Sequence, residues 1–126
     1  MTDAILITGG YDYDTDALYT AELYLRSSGL SCSLASLPEG RMQHSMESSG
    51  LLCGGFLTMD TCLQWRSDAW EESLTLDVER EGHVSWTPGA GSGTFLMGGA
   101  ASERTTTLIT TDGTQEPGFP LKYDTL

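Results

Sequence analysis

Three short apolar runs, each closed by a pair of glycines, constrain the fold of this chain more than any other feature. They read "AILITGG", "GLLCGG" and "TFLMGG", with the pairs at Gly9-Gly10, Gly54-Gly55 and Gly98-Gly99, about 45 residues apart. A period of that length belongs to propellers and solenoids. A few residues beyond each pair stands a second run, "TAELYL", "TCLQW" and "TTTLIT", rich in Thr, Tyr, Trp, Leu and Ile and bounded by turn formers. Such runs predict strands.

Between the glycine pairs a second signal repeats. "LPEGRMQHS" at 37 to 45 and "LDVEREGHVS" at 76 to 85 both place an Arg three residues before a His, and the two copies lie 39 residues apart. Further strands are predicted around "LSCSL" at 30 to 34, "AWEESLTL" at 69 to 76 and "EPGFPLKY" at 116 to 123, which makes four strands per unit and about eleven in all. No segment sustains a helical period, so the chain is expected to be all-β. The units divide as 1 to 36, an incomplete one, then 37 to 76 and 77 to 126.

Four-stranded antiparallel units account for the residue types. The run before each glycine pair reads as an inner strand packed on both faces, hence continuously apolar. The glycines end it, because they accept positive φ where the chain must turn out of a crowded place. Leu6, Tyr24, Leu52, Trp65 and Leu96 are expected to be buried.

On these residues the chain resembles the kelch-repeat β-propellers. The likeness is carried by the glycine pairs after hydrophobic strands, by Tyr24 and Trp65 on the following strand, by Trp70 in "WRSDAW", and by Arg41-x-x-His44 and Arg80-x-x-His83 before the next unit. More narrowly, "SCSLASLPEGRMQHS", "GLLCGG" and "TCLQW" are similar to the cysteine-bearing kelch proteins of aquatic animals, which implies an extracellular location. The resemblance implies a partial propeller of four-stranded antiparallel blades. The first unit lacks the R-x-x-H strand before "AILITGG", and the third has no aromatic pair. The resemblance implies rings that close with about five to seven blades, so three units imply either a piece of a longer chain or self-association of copies to complete a ring.

Charge narrows the partners. Eighteen acidic residues against six basic give a formal net charge of -12, and the six, Arg26, Arg41, Arg66, Arg80, Arg104 and Lys122, are scattered singly. This speaks against nucleic acid and against an anionic membrane surface, and it favours a cationic partner. No apolar run approaches the roughly 18 residues that span a bilayer, and "MTDAILITGG" has the features of neither a basic n-region nor a long h-region.

The aspartates of "GGYDYDTDALYTAEL" first suggest a calcium loop. Asp12, Asp14 and Asp16 suit its first three ligand positions, but the sixth position is Ala17 and the twelfth Leu23, where Gly and Glu are required. The run reads instead as an exposed loop. In a four-stranded meander the connections from strand 2 to 3 and from unit to unit share one end, here residues 11 to 19, 56 to 60 and 100 to 104 together with 35 to 41 and 75 to 82. That end carries Asp12, Asp14, Asp16, Glu39, Asp60, Asp77, Glu79, Glu81 and Glu103, half of all the acids. Tyr11, Tyr13, Arg41, Arg80 and Arg104 fall there as well, and these five with Asp12, Asp14, Asp16, Glu39, Asp60, Glu79 and Glu103 form the candidate partner-binding face. Solvated loop charge without a partner is the plainer alternative.

His44 and His83 could suggest a catalytic or metal pair, but residues recurring in each unit serve the unit, here by tying loop backbone, and Arg41 and Arg80 are expected to hold loops through carbonyls or carboxylates. No acid stands at a fixed offset to complete a triad with Ser45 and Ser85. No catalytic residue, metal ligand or cofactor is assigned, since three cysteines match no zinc spacing. Cys53 and Cys62 can face each other across a hairpin, either as a disulfide or as two small buried thiols, and Cys32 is left over. The expected function is binding of an unidentified protein. The alternative is a non-autonomous fragment of a propeller enzyme, of the copper-radical oxidase or glycosidase type.

Overall fold

A computed structural model describes residues 3–14, 16–56, 58–89, 91–100 and 104–122. Among them there are thirteen strands and no helix. β1 (Ala4–Thr8), β4 (Ala21–Leu25) and β5 (Leu30–Ser33) form a three-stranded sheet; β6 (Ser45–Met46), β7 (Leu51–Cys53), β8 (Thr61–Arg66) and β9 (Ala69–Thr75) form a four-stranded one. β10 (Val84–Trp86), β11 (Thr94–Met97), β12 (Thr106–Ile109) and β13 (Gln115–Pro117) form another. Each is an antiparallel meander in chain order. A separate ribbon, β2 (Tyr11–Asp12) with β3 (Asp16–Ala17), rises from the first β1–β4 connection. The sequence did not announce this ribbon.

The glycine pairs close equivalent hairpins. Gly9 N–H donates to Thr20 O, Gly54 to Thr61 O and Gly98 to Thr105 O, at 2.9, 2.9 and 3.0 Å. Gly54 and Gly55 have φ of 68° and 116°, a left-handed turn that a β-branched residue would resist. Of the strand expected over 116 to 123, whose last residue lies outside the described ones, the described part forms only Gln115–Pro117, because Pro117 and Pro120 lack the N–H a ladder requires.

Two apolar clusters lie on the faces of the middle sheet. Leu51, Cys53, Cys62 and Leu76 meet Leu96 and Ile109 of the third sheet, while Leu52 and Leu63 meet Leu37, Met46 and Trp70 on the other face. Thus β7 is buried along its whole length, as a continuous apolar strand should be. β1 differs. The residue two places before the glycine pair is 0% exposed at Leu52 and 1% at Leu96, but 46% at Ile7. Ile5 shares that face with its cross-strand neighbour Tyr24, and both are exposed because no described sheet covers them. Leu6 is half-buried, so the expectation of a buried Tyr24 and Leu6 is corrected, while Leu52 and Leu96 are core. Trp65, also expected to be buried, is only half-buried, edge-on to its ladder partner Trp70 at 5.1 Å on the outer part of the ladder. The Trp70 indole N–H donates to Ala35 O at 3.0 Å, fastening the middle sheet to the segment that leaves the first.

Candidate functional site

The connections after β1, β7 and β11 share an end with those after β5 and β9, because alternate turns of a meander lie on the same side. The R-x-x-H segments organise this end. Gly10 N–H donates to Arg41 O at 2.8 Å and Gly55 N–H to Arg80 O at 3.0 Å, so each arginine's carbonyl accepts from the preceding sheet. Their guanidinium groups turn the other way. Arg41 Nη1 donates to Gly54 O and Thr61 O, both at 2.9 Å, and Nη2 to Glu39 Oε1 at 2.8 Å and Thr61 Oγ1 at 2.6 Å. Arg80 repeats the grip on Gly98 O, Thr105 O, Thr105 Oγ1 and Thr107 Oγ1.

Both arginines are fully buried. Burial lowers each guanidinium's pKa, with the Glu39 carboxylate opposing this for Arg41, and the carbonyl and hydroxyl acceptors replace the lost water. They tie loops, as one of their two expected roles required, and they are withdrawn from the partner-facing surface because no part of them reaches solvent.

The histidines belong to the same joint. His44 Nε2 meets Thr8 Oγ1 at 3.0 Å, and His83 Nε2 meets Ser45 Oγ at 2.8 Å. Burial, then the adjacent Arg41, lowers the pKa of His44; burial, Arg80 and His44 push His83 down to about 4. Neutral imidazoles therefore sit in the junctions. The Ser45–His83 contact has the distance of a nucleophile–base pair; both residues are buried, and among the described residues no geometric hydrogen-bond partner meets His83 Nδ1 to orient the ring.

The surface of this end is made by the β2–β3 ribbon. Tyr11 and Tyr13 stand edge to face, 5.4 Å between centroids, and are 51% and 93% exposed. Asp12 Oδ1 accepts from Asp14 N–H at 2.8 Å, and Asp16 takes a left-handed φ of 69°, which aspartate tolerates better than most residues. Asp12 pairs with Asp16 across the ribbon and Tyr11 with Ala17. Gly40 presses on Ala17, where an added Cβ would lie 2.4 Å from the Ala17 carbonyl oxygen, so Glu39 is held beside the ribbon's base.

Five of the candidate residues thus share one ribbon, with Glu39 alongside. Asp60 is half-buried next to the β7–β8 turn, and Glu79 is exposed just before Arg80. Arg104 is exposed, with Nη2 donating to Lys122 O at 2.8 Å. Glu103 lies outside the described residues. Among the described residues no group of three or more His, Cys, Asp or Glu side chains could hold a metal ion.

Cys53 and Cys62 are joined by a disulfide across β7–β8, directly opposed with Cα atoms 4.1 Å apart, while Cys32 is an exposed thiol. Sequence reasoning passed over a polar cleft at the opposite end, between the second and third sheets. It is lined by Glu47, Gln64, Arg66, Thr87, Thr94 and Asp112 among others. Glu47 accepts there from Ser85 and Thr87, bridging the two sheets. These residues come from β8, β11 and three separate connections, and carry no shared motif that could have marked them.

No family profile matches the chain, and no curated protein sequence matches it either.

Proposed function

We propose that the chain is a kelch-type propeller segment that binds a protein with a basic surface through its Gly-Gly end, without catalysing a reaction. The reading of the sheets as blades is supported by three consecutive antiparallel meanders joined by one repeated Arg–His–Gly-Gly device. The binding reading is carried by the β2–β3 ribbon. It displays two tyrosines in an edge-to-face pair, on the same ribbon as Asp12, Asp14 and Asp16. Tyrosines supply large contact area at small entropic cost, and clustered carboxylates steer a cationic partner. Selection of ligands from a displayed peptide library tests this. Lys- or Arg-rich ligands should emerge, weakened about tenfold by Tyr13→Ser and by added salt. Ligands indifferent to substitutions in the ribbon would refute the site.

A second reading, self-association, rests on a separate observation. Ile5, Ile7 and Tyr24 stay exposed on the first sheet, and Val84, Trp86 and Phe119 on the third, with Trp86 and Phe119 both packed on Phe95. The middle sheet buries the corresponding face of β7 under apolar neighbours. Taken by itself, the 126-residue chain would pair these faces head to tail between copies; within a longer chain they would take further sheets. Light scattering at micromolar concentration should show particles larger than a monomer, diminished by Ile7→Glu. A stable monomer would rule the reading out.

A further inference from the structure

We propose that Tyr13 is a site of tyrosine O-sulfation. Three independent features converge on it. At 93% exposure Tyr13 is the most accessible of the described large hydrophobic residues, and it sits at the tip of a ribbon paired with no other sheet, open to a transferase except where Tyr11 leans on it. Its flanks, "GGYDYDTDAL", hold carboxylates at Asp12, Asp14 and Asp16 and no Lys, Arg or His, the pattern a positively charged acceptor groove reads. The Cys53–Cys62 disulfide, buried in the core, is the kind that forms and persists in an oxidising compartment, and the secretory route is where tyrosine sulfation takes place.

The other described tyrosines suit the reaction less well. Tyr11 follows two glycines and leans its ring on Tyr13. Tyr19 is flanked by Leu18 and Thr20, and Tyr24 lies within β4, hydrogen-bonded between β1 and β5.

In the reaction the Tyr13 phenolic oxygen attacks the sulfur of an activated phosphosulfate nucleotide. An aryl O–S bond forms, the S–O bond to the nucleotide phosphate breaks, and the electron pair leaves with that phosphate. The phenolic proton passes to the transferase's base, and nothing is oxidised or reduced. The product carries a fixed negative charge between Asp12 and Asp14.

The proposal stands apart from the basic-partner reading, since its readout is covalent. The folded full chain is incubated with a tyrosylprotein sulfotransferase and a donor carrying radioactive sulfur, then mapped by peptide mass. Label should enter at Tyr13, disappear in Tyr13→Phe, persist in Tyr19→Phe, and fall about tenfold in Asp12→Lys/Asp14→Lys, where the acidic flank is reversed. Circular dichroism is the check that each variant retains the fold. In chain recovered from secreting cells the modification should resist phosphatase and vanish when chlorate blocks donor synthesis. No incorporation, label chiefly on another tyrosine, indifference to the flanking charge, or a phosphatase-sensitive group at Tyr13 would each overturn the assignment.

Discussion

His83 Cε1 occupies the space that a side chain at Gly54 would need: a Cβ built on Gly54 would lie 2.8 Å from it and 2.5 Å from Arg80 O. The same contact recurs one unit earlier, where a Cβ on Gly9 would lie 2.9 Å from His44 Cε1 and 2.4 Å from Arg41 O. The second glycine of the following pair closes the other side, since Gly55 and Gly99 press on the Cβ atoms of His44 and His83. Each R-x-x-H segment is therefore clamped between two glycine pairs, one from each sheet it joins. The two sequence repeats are halves of one joint.

Gly54→Ala should accordingly cost more than its φ alone demands. Backbone strain accounts for about 1–2 kcal/mol and the clash with Arg80 O and His83 for about 1–3 kcal/mol more. Gly29→Ala is the control: its φ is 72° but nothing lies within 4 Å of the added Cβ, so only the backbone share is expected. Equal losses in urea unfolding of the two variants would show that the joint is loosely packed.

Leu52→Ala should destabilise by about 2–5 kcal/mol, the usual cost of emptying a fully buried leucine site. Ile7→Ala, at the equivalent position, should cost about 1 kcal/mol or less, because roughly half of that side chain already meets water. Chemical unfolding at a concentration where the chain is monomeric makes the comparison. Similar values at the two positions would mean that something covers β1.

The buried His83 makes stability pH-dependent. Its folded pKa of about 4 lies below the usual 6.5, so the unfolded chain binds the proton more readily. This contribution is fully present above the unfolded value, declines as pH falls from 6.5, and is fully lost below the folded value, a difference of about 3 kcal/mol at most. In His83→Gln the slope of stability against pH between those values should flatten by that share. The wild-type-minus-variant difference is the quantity to measure.

Peptide mapping without reduction should join Cys53 to Cys62 and leave one thiol, Cys32, open to alkylation in the native protein. Reduction should lower stability by about 2–4 kcal/mol. The half-cystines are 1% and 0% exposed, so a mild reductant should act only once the chain opens. Two or more thiols reacting under native conditions would contradict the pairing.

Much of this architecture is legible in the residues themselves. The apolar runs, the turn formers and the 45-residue period place strands near Ala4–Thr8, Leu51–Cys53, Thr61–Arg66 and Ala69–Thr75, because strand propensity and turn chemistry act over a few neighbours. Even the tying role of Arg41 and Arg80 follows from their repetition. The acidic loop end was readable as well, since a meander returns alternate connections to one side.

What only the tertiary structure decided depends on what packs against a residue from far along the chain. Ile7 and Leu52 occupy the same place in the repeat, yet one is half exposed and the other sealed, because only the second has Leu37, Leu63 and Trp70 against it. Arg41 and Arg80 were expected both to tie loops and to face a partner, and only the burial that comes with gripping the carbonyls of Gly54 and Gly98 leaves the first role alone. Cys53 and Cys62 remained two alternatives until the β7–β8 register set them opposite each other. Tyr13 became 93% exposed because Asp12 and Asp16 pair into a ribbon that holds it at the turn. Local sequence sets which strands form, whereas burial, and with it the choice between tie and surface, depends on contacts between residues tens of positions apart.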